Sequence, residues 1–169
     1  MELRVTSTDD EVLLLDLLNT TPVIDGVLTD TLPDFDTAKT WMIDHGIPAH
    51  ESEWAGLCEA RAVLQAIVHG DEPLTSLQPI LAVAQLIPVV SATGVDWQLT
   101  VDGDTTGAVR AALAFDGLRI SSPGRLRPCA NTECHLFLID RSKPNTARWC
   151  SMAVCGNRMK ARRHYSRKS

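Results

Sequence analysis

Apolar positions along the chain fall into several helix-spaced stretches and a few strand-spaced ones. Met1–Ser7 reads as a short strand or a frayed end. Thr8-Asp9-Asp10 reads as a helix start, with acids where the N-terminal dipole favours them. Val12–Leu18 is apolar nearly all round, so this helix is expected to be buried on most faces. Asp16 and Asn19 lie three apart on one side of it, and Asn19 suits a helix C-cap. Thr21–Pro33 carries Pro22, Asp25-Gly26 and Pro33, the composition of a loop with room for a short hairpin. Asp36 is placed to cap a helix from Thr37 to about His45, stopped by Gly46 and Pro48. Another helix runs from about Ser52 to His69 and ends at Gly70; Trp54, Leu57, Cys58, Ala62, Leu64, Ile67 and Val68 form its apolar stripe. The next is predicted from about Thr75 to Val90, with Pro79 in its first turn and Pro88 kinking or ending it. Val95–Val101 alternates with period two ahead of Asp102-Gly103, which predicts a strand leading into a turn. Thr105 to about Phe115 is again helical, closing near Gly117, and Ser121–Gly124 is a linker. Beyond it, His135–Ile139 reads as a strand, Ser142–Asn145 as a turn, Thr146–Trp149 as the return, and a last helix begins near Gly156.

The expected fold is therefore mainly α with minor β. It divides into a helical N-terminal domain over residues 1–122 and a small appended unit over 123–169. A length of 169 residues suits one domain plus an appendage, and 44% hydrophobic residues is ordinary for a globular protein. No stretch approaches the ~20 apolar residues of a membrane span. Val12–Leu18 is short, interrupted by Asp16 and preceded by acids, unlike a signal peptide. The expected location is the cytoplasm. The net charge of −5 hides a polarity: residues 125–169 carry eleven Lys and Arg against Glu133 and Asp140, whereas residues 1–124 carry five against nineteen acids. A basic end on an acidic body points to nucleic acid as a partner of that end.

Cysteine spacing adds chemistry to that end. Cys129-Ala-Asn-Thr-Glu-Cys134 is followed, fifteen residues later, by Cys150-Ser-Met-Ala-Val-Cys155 and then Gly156. Two hooks of equal spacing offer the four thiolates of a closed tetrahedral Zn²⁺ site. Gly156 suits the sharp turn such a hook needs. Two disulfides and an iron–sulfur cluster are the competing readings; a reducing compartment favours metal. A unit of about 45 residues rarely buries enough to fold alone, and one structural zinc ion supplies the difference. The order hook, hairpin, hook, helix is treble-clef-like.

Arg125-Leu126-Arg127, Asp140-x-Ser142, Arg148-Trp149-Cys150-Ser151-Met152 and Cys155-Gly156-Asn157-Arg158-x-Lys160 resemble the CGNR zinc finger family. Ala147 stands where that family often has an arginine, and Leu138 where it often has Phe. Leu15-Asp16-Leu17-Leu18-Asn19-Thr20 resembles the opening of the ABATE-type domain that precedes this finger. Together these imply a stress-induced transcription regulator. Charge and resemblance assign nucleic-acid contact to Arg141, Lys143, Arg148, Arg158, Lys160, Arg162, Arg163 and Arg167. Protein–protein assembly and RNA binding are the alternatives.

His135 and His164 are superfluous as ligands beside four cysteines, and Cys58 reads as a core residue. Asp16, if buried, needs a partner, for which Arg61 is the candidate. Asn19, Trp41 and Arg61 either form a structural polar network or line a pocket for a small-molecule effector. A homodimer is also left open. No nucleophile–base pair, phosphate loop or spaced carboxylate pair appears, so the chain is not expected to be an enzyme.

Overall fold

The computed structural model describes residues 6–166, with side chains to residue 161. Of the strand read at Met1–Ser7, residues 1–5 lie outside this range, and Thr6 and Ser7 are not strand.

Helix α1 (Thr8–Leu18) opens on a capping box. The Ser7 hydroxyl accepts from the Asp10 N–H, and the Asp10 carboxylate accepts from the Ser7 N–H. Leu13, Leu14, Leu17 and Leu18 are fully buried, and Asn19 is the C-cap. The chain then forms a tight hairpin of β1 (Val23–Ile24) and β2 (Val27–Leu28). Asp25 and Gly26 both take positive φ, as the favoured two-residue hairpin turn requires. Helix α2 (Phe35–Asp44) is capped by Asp34, whose carboxylate accepts from the Thr37 N–H. The expected cap, Asp36, lies inside the first turn and pairs with Lys39. Helix α3 (Glu51–His69) buries Leu57, Ala60 and Leu64 and stops at Gly70 in the left-handed conformation.

The helix expected over residues 75–90 is the main departure. Helical structure is confined to a 3₁₀ turn, Leu74–Leu77, and α4 (Gln78–Leu81). The chain then extends into β3 (Ala84–Ser91), which turns back and pairs along its length with β4 (Gly94–Val101). Isoleucine, valine and proline in Leu86–Val90 favour an extended edge strand over a helix. Helix α5 (Thr106–Ser121) runs through Gly117, where closure was expected, because Leu118 beyond it is buried.

Helix α5 packs against both α1 and α3. Its buried Ala108, Ala111, Ala112 and Ala114 let the neighbours come close. Strands β5 (Leu126–Pro128) and β6 (Phe137–Ile139) lie on this bundle, and Phe137 is part of its core. The fold is mainly α with minor β, as expected. Among the described residues no helix is long and apolar enough to cross a membrane.

Two ion pairs bind distant segments. Asp10 meets Arg110 of α5 at 2.6 Å, and Arg61 holds Asp30 through two hydrogen bonds of 2.8 and 2.6 Å while donating to Thr20. Burial alone would raise the Asp10 carboxyl, but the Ser7 N–H and Arg110 outweigh it and hold it below its usual value. Asp30 is likewise lowered, burial being outweighed by Arg61 and the Leu32 N–H. A carboxyl lowered in the folded state stabilises it fully above the ordinary value near ~3.9 and loses that contribution as pH falls through the folded value. Thermal midpoints are therefore expected to drop below about pH 4. Asp10→Asn should flatten that drop, and an unchanged acid limb in the variant would refute the assignment.

Candidate metal centre and its basic surround

The first hook is the loop of a hairpin. Strands β5 and β6 pair antiparallel with Pro128 opposite Phe137, so Cys129 and Cys134 bracket the connection between them. The Cys129 N–H donates to the Leu136 carbonyl, and the Cys134 N–H to that of Asn131, each at 2.8 Å. The expected hairpin, residues 135–139 returning through 146–149, is not formed: β6 takes β5 as its partner. Residues 146–149 are not strand; the Asp140 carboxylate accepts the Ala147 N–H at 2.7 Å, which keeps that segment curled.

The second hook is a π-turn, Met152–Gly156, capped by the Ser151 hydroxyl and continued by helix α6 (Asn157–Ser166). Gly156 does not take the left-handed backbone its turn suggested. Its requirement is space: a Cβ there would fall 2.8 Å from Met152 Sδ and 3.3 Å from Trp149 Cδ1.

The hooks bring the Sγ atoms of Cys129, Cys134, Cys150 and Cys155 within 4.8 Å of one another. Cys150 Sγ lies 3.6 Å from both Cys134 Sγ and Cys155 Sγ. These are not disulfides. A tetrahedral ion with Zn–S bonds of ~2.3 Å has sulfur–sulfur edges of about 3.8 Å, so the donor set fits such an ion. Two donors aim at the sulfurs: the Cys150 N–H at Cys129 Sγ, 3.4 Å, and Asn131 Nδ2 at Cys155 Sγ, 3.5 Å. Asn131 is fully buried. Burial and thiol neighbours push Cys134 up to about 11 and raise Cys150 further. Cys155 is lowered, because Asn131 and the adjoining thiols outweigh its burial. Four thiolates this close need a cation among them, and the cluster can hold a metal ion.

Motif residues brace the loop beyond β6. The Asp140 side chain is buried and accepts from the Ser142 and Ala147 N–H groups and from Arg127. The Ser142 hydroxyl first, then these N–H groups and Arg127, hold its carboxyl below the usual range. Arg127 also donates to the Asn145 side chain, and Arg125 to the Asp140 and Ser142 carbonyls at 2.7 Å each. Asn19 joins body to finger: its Oδ1 accepts from the Phe137 N–H at 2.7 Å and its Nδ2 donates to the Phe137 carbonyl at 3.3 Å.

Among the proposed nucleic-acid contacts, Lys143, Arg148, Arg158 and Lys160 are exposed. The Arg148 guanidinium lies 5.4 Å from the Trp149 ring centre. Arg141 is exposed but ion-paired with Glu11 at 2.6 Å. The side chains of Arg162 and Arg163, and all of Arg167, lie outside the described residues, as does the side chain of His164. His135 is exposed beside His69 and does not belong to the sulfur cluster.

Asp16 does not pair with Arg61. Its carboxylate is half exposed and meets His45 Nε2 at 2.9 Å, while Arg61 is taken by Asp30 and Thr20. Asp16 faces outward because the leucines claim the buried side of α1. Asn19, Trp41 and Arg61 do not converge: Asn19 binds Phe137, Trp41 stacks on His45 at 4.1 Å, and Arg61 holds the loop before α2. Cys58 is half-buried on α3, and burial raises its thiol. Sequence reasoning missed Asn131, whereas the short hairpin it allowed within Thr21–Pro33 is formed by β1 and β2. Asp25 and Gly26 of that hairpin, with Thr132, Cys134, His135 and Arg158, wall a cleft of about 600 Å³ beside the first hook.

A four-thiol cluster that can hold a metal ion sits on a helical body and opens onto a basic helix. Residues 125–168 match the CGNR zinc finger, and residues 11–132 match ABATE, described as "Putative stress-induced transcription regulator". The second match spans more than half of the chain, and the chain belongs to that family. The two matches overlap on β5 and the start of the first hook, where finger and body share structure. No curated protein matches the chain. One match is described as a zinc finger and the other as a transcription regulator, which with the sulfur cluster makes this a zinc-associated protein of the transcriptional-regulator type; neither description names a catalytic activity.

Proposed function

We propose that this protein is a cytoplasmic, zinc-dependent DNA-binding regulator. Cys129, Cys134, Cys150 and Cys155 hold one structural Zn²⁺, which fixes the start of α6. Lys143, Arg148, Arg158 and Lys160 meet DNA phosphates, joined by Arg162, Arg163 and Arg167 further along the helix. Arg141 joins them by exchanging Glu11 for a phosphate, a small cost because exposed ion pairs contribute about 0–1 kcal/mol. The supporting observation is exposed cations set around a rigid sulfur cluster on an otherwise acidic chain.

Each phosphate contact releases condensed counterions, so log affinity should fall with log salt at a slope of roughly −0.9 per contact. About four to six contacts are expected. Arg158→Ala should weaken binding to all duplexes and lower the slope by about one. Fluorescence anisotropy with zinc-loaded protein on duplex DNA and on RNA measures both. Absence of salt-dependent duplex binding would overturn the reading, and stronger RNA binding would redirect it. Met152 and Val154, 53% and 55% exposed beside the basic helix, favour a protein partner as the second reading.

A further inference from the structure

The four sulfurs of the cluster are not equivalent. Cys129 and Cys155 are buried, at 7% and 4% exposure, whereas Cys134 and Cys150 are only half-buried. Each buried sulfur also accepts a hydrogen bond, Cys129 from the Cys150 N–H and Cys155 from Asn131 Nδ2. Such bonds stabilise a thiolate and blunt it as a nucleophile. The Leu136 N–H does the same, more openly, at Cys134. Among the described residues no N–H reaches Cys150 Sγ, whose neighbours are the other thiols.

Access separates them further. The cleft of about 600 Å³ between the β1–β2 turn and the first hook reaches Cys134. Its wall mixes Asp25 and Glu133 with His135 and Arg158, so it selects no strong charge and suits a small neutral reagent. Cys150 Sγ, from the other hook, stands 3.6 Å from Cys134 Sγ. It is as close to Cys155 Sγ, but that sulfur is buried against Asn131 and is not on the cleft wall. One thiol therefore faces an entry route, and the least restrained nucleophile of the four stands behind it.

We propose that Cys134 and Cys150 are a peroxide-sensitive pair that opens the metal centre by closing a disulfide between the two hooks. This rests on the reading of the four thiols as a zinc site. The Cys134 thiolate attacks hydrogen peroxide. The O–O bond breaks, one oxygen stays on sulfur as a sulfenic acid, and the other leaves as hydroxide. The Cys150 thiolate then attacks the Cys134 sulfur; the S–O bond breaks and a second hydroxide leaves. Two protons from solvent turn both hydroxides into water. The two thiolates lose two electrons, and the peroxide gains them. Sulfurs joined in a disulfide are no longer thiolate ligands, so the closed four-sulfur shell is halved. The first hook stays on the body through Phe137 and Asn19. The second stays tied to it by the new bond, while α6 loses the frame at its start. A dithiol reverses the step.

The full zinc-loaded chain treated with one equivalent of hydrogen peroxide tests this. A chromogenic chelator follows released zinc, and mass spectrometry after alkylation maps the bonds. One Cys134–Cys150 disulfide should appear for each zinc released, and dithiothreitol with added zinc should restore both thiols and metal. Cys58, half-buried on α3 and outside the cluster, is the internal control and should oxidise at least about tenfold more slowly. Metal analysis before treatment tests the zinc reading separately, since the disulfide map decides the pairing whichever way that result falls. A dominant Cys150–Cys155 or Cys129–Cys134 bond, cluster thiols that react no faster than Cys58, or zinc release without a disulfide would each overturn the proposal.

Discussion

Removing the metal from the full chain is expected to melt the second hook and α6 while most of the signal from α1, α2, α3 and α5 survives. Among the described residues the finger buries few apolar side chains, and the largest, Phe137, packs into the helical core rather than within the finger. Structural zinc contributes about 10–16 kcal/mol in finger peptides, more than this small unit can replace. The loss should be graded. Strands β5 and β6 are held by Phe137 and by both ends of the Asn19 amide, so they should keep part of their protection. Among the described residues, 150–161 show no comparable anchor to the helical body, so the chain from residue 150 onward should exchange freely. Amide hydrogen exchange with and without chelator, beside metal analysis, measures this. One zinc per chain is expected, and Cys134→Ser should reduce it. A chelated protein with unchanged protection at residues 150–166 would show that the thiols do not need an ion.

The four sulfurs were legible in the sequence because metal hooks are local: their spacing nearly states their geometry. What surrounds them was not. Asn131 sits between Cys129 and Cys134 with no pattern to mark it, yet it is fully buried and donates toward Cys155, twenty-four positions away. The hairpin was assigned to the wrong pair of segments because the apolar run at residues 136–139 shows a strand but not its partner. Leu126–Pro128 is too short to announce itself. The helix predicted over residues 75–90 failed on a similar ambiguity, since a short apolar run fits a helix or a strand equally. Turn chemistry at Ala92-Thr93-Gly94 and β-branching at Val89 and Val90 decide it. Asp16 was misplaced because apolar neighbours in sequence do not say which side of the helix meets solvent. Its true partner, His45, lies on the far end of α2.

Glu53→Ala is expected to be the most damaging single change in the helical body. Helix α5 has no side-chain cap of its own from Thr105. Glu53, on α3 and only 1% exposed, supplies the cap from a distance: its carboxylate accepts the Thr106 N–H at 2.9 Å and the Gly107 N–H. A negative group at a helix N-terminus is favoured by the dipole, and here it also satisfies two donors shielded from water. Alanine leaves both without an acceptor, a loss of about 2–4 kcal/mol from a fold whose whole stability is of order 5–15 kcal/mol. Helix α5 touches α1 and α3 together, so the loss should lower the single cooperative transition rather than fray one end. Glu53→Gln keeps one oxygen acceptor and should lose about half as much. Gly107→Ala tests the same junction from the other side. Its Cβ would fall 2.8 Å from Ile47 Cδ1 and 3.0 Å from both Glu53 Oε1 and Leu57 Cδ2. It should therefore destabilise, although alanine is the better helix former by about 1 kcal/mol. Combined with Glu53→Ala the two effects should fall short of their sum, since both act on one contact. Urea titrations of the wild type and the four variants measure these differences, and a Glu53→Ala midpoint indistinguishable from wild type would show that α5 begins without this carboxylate.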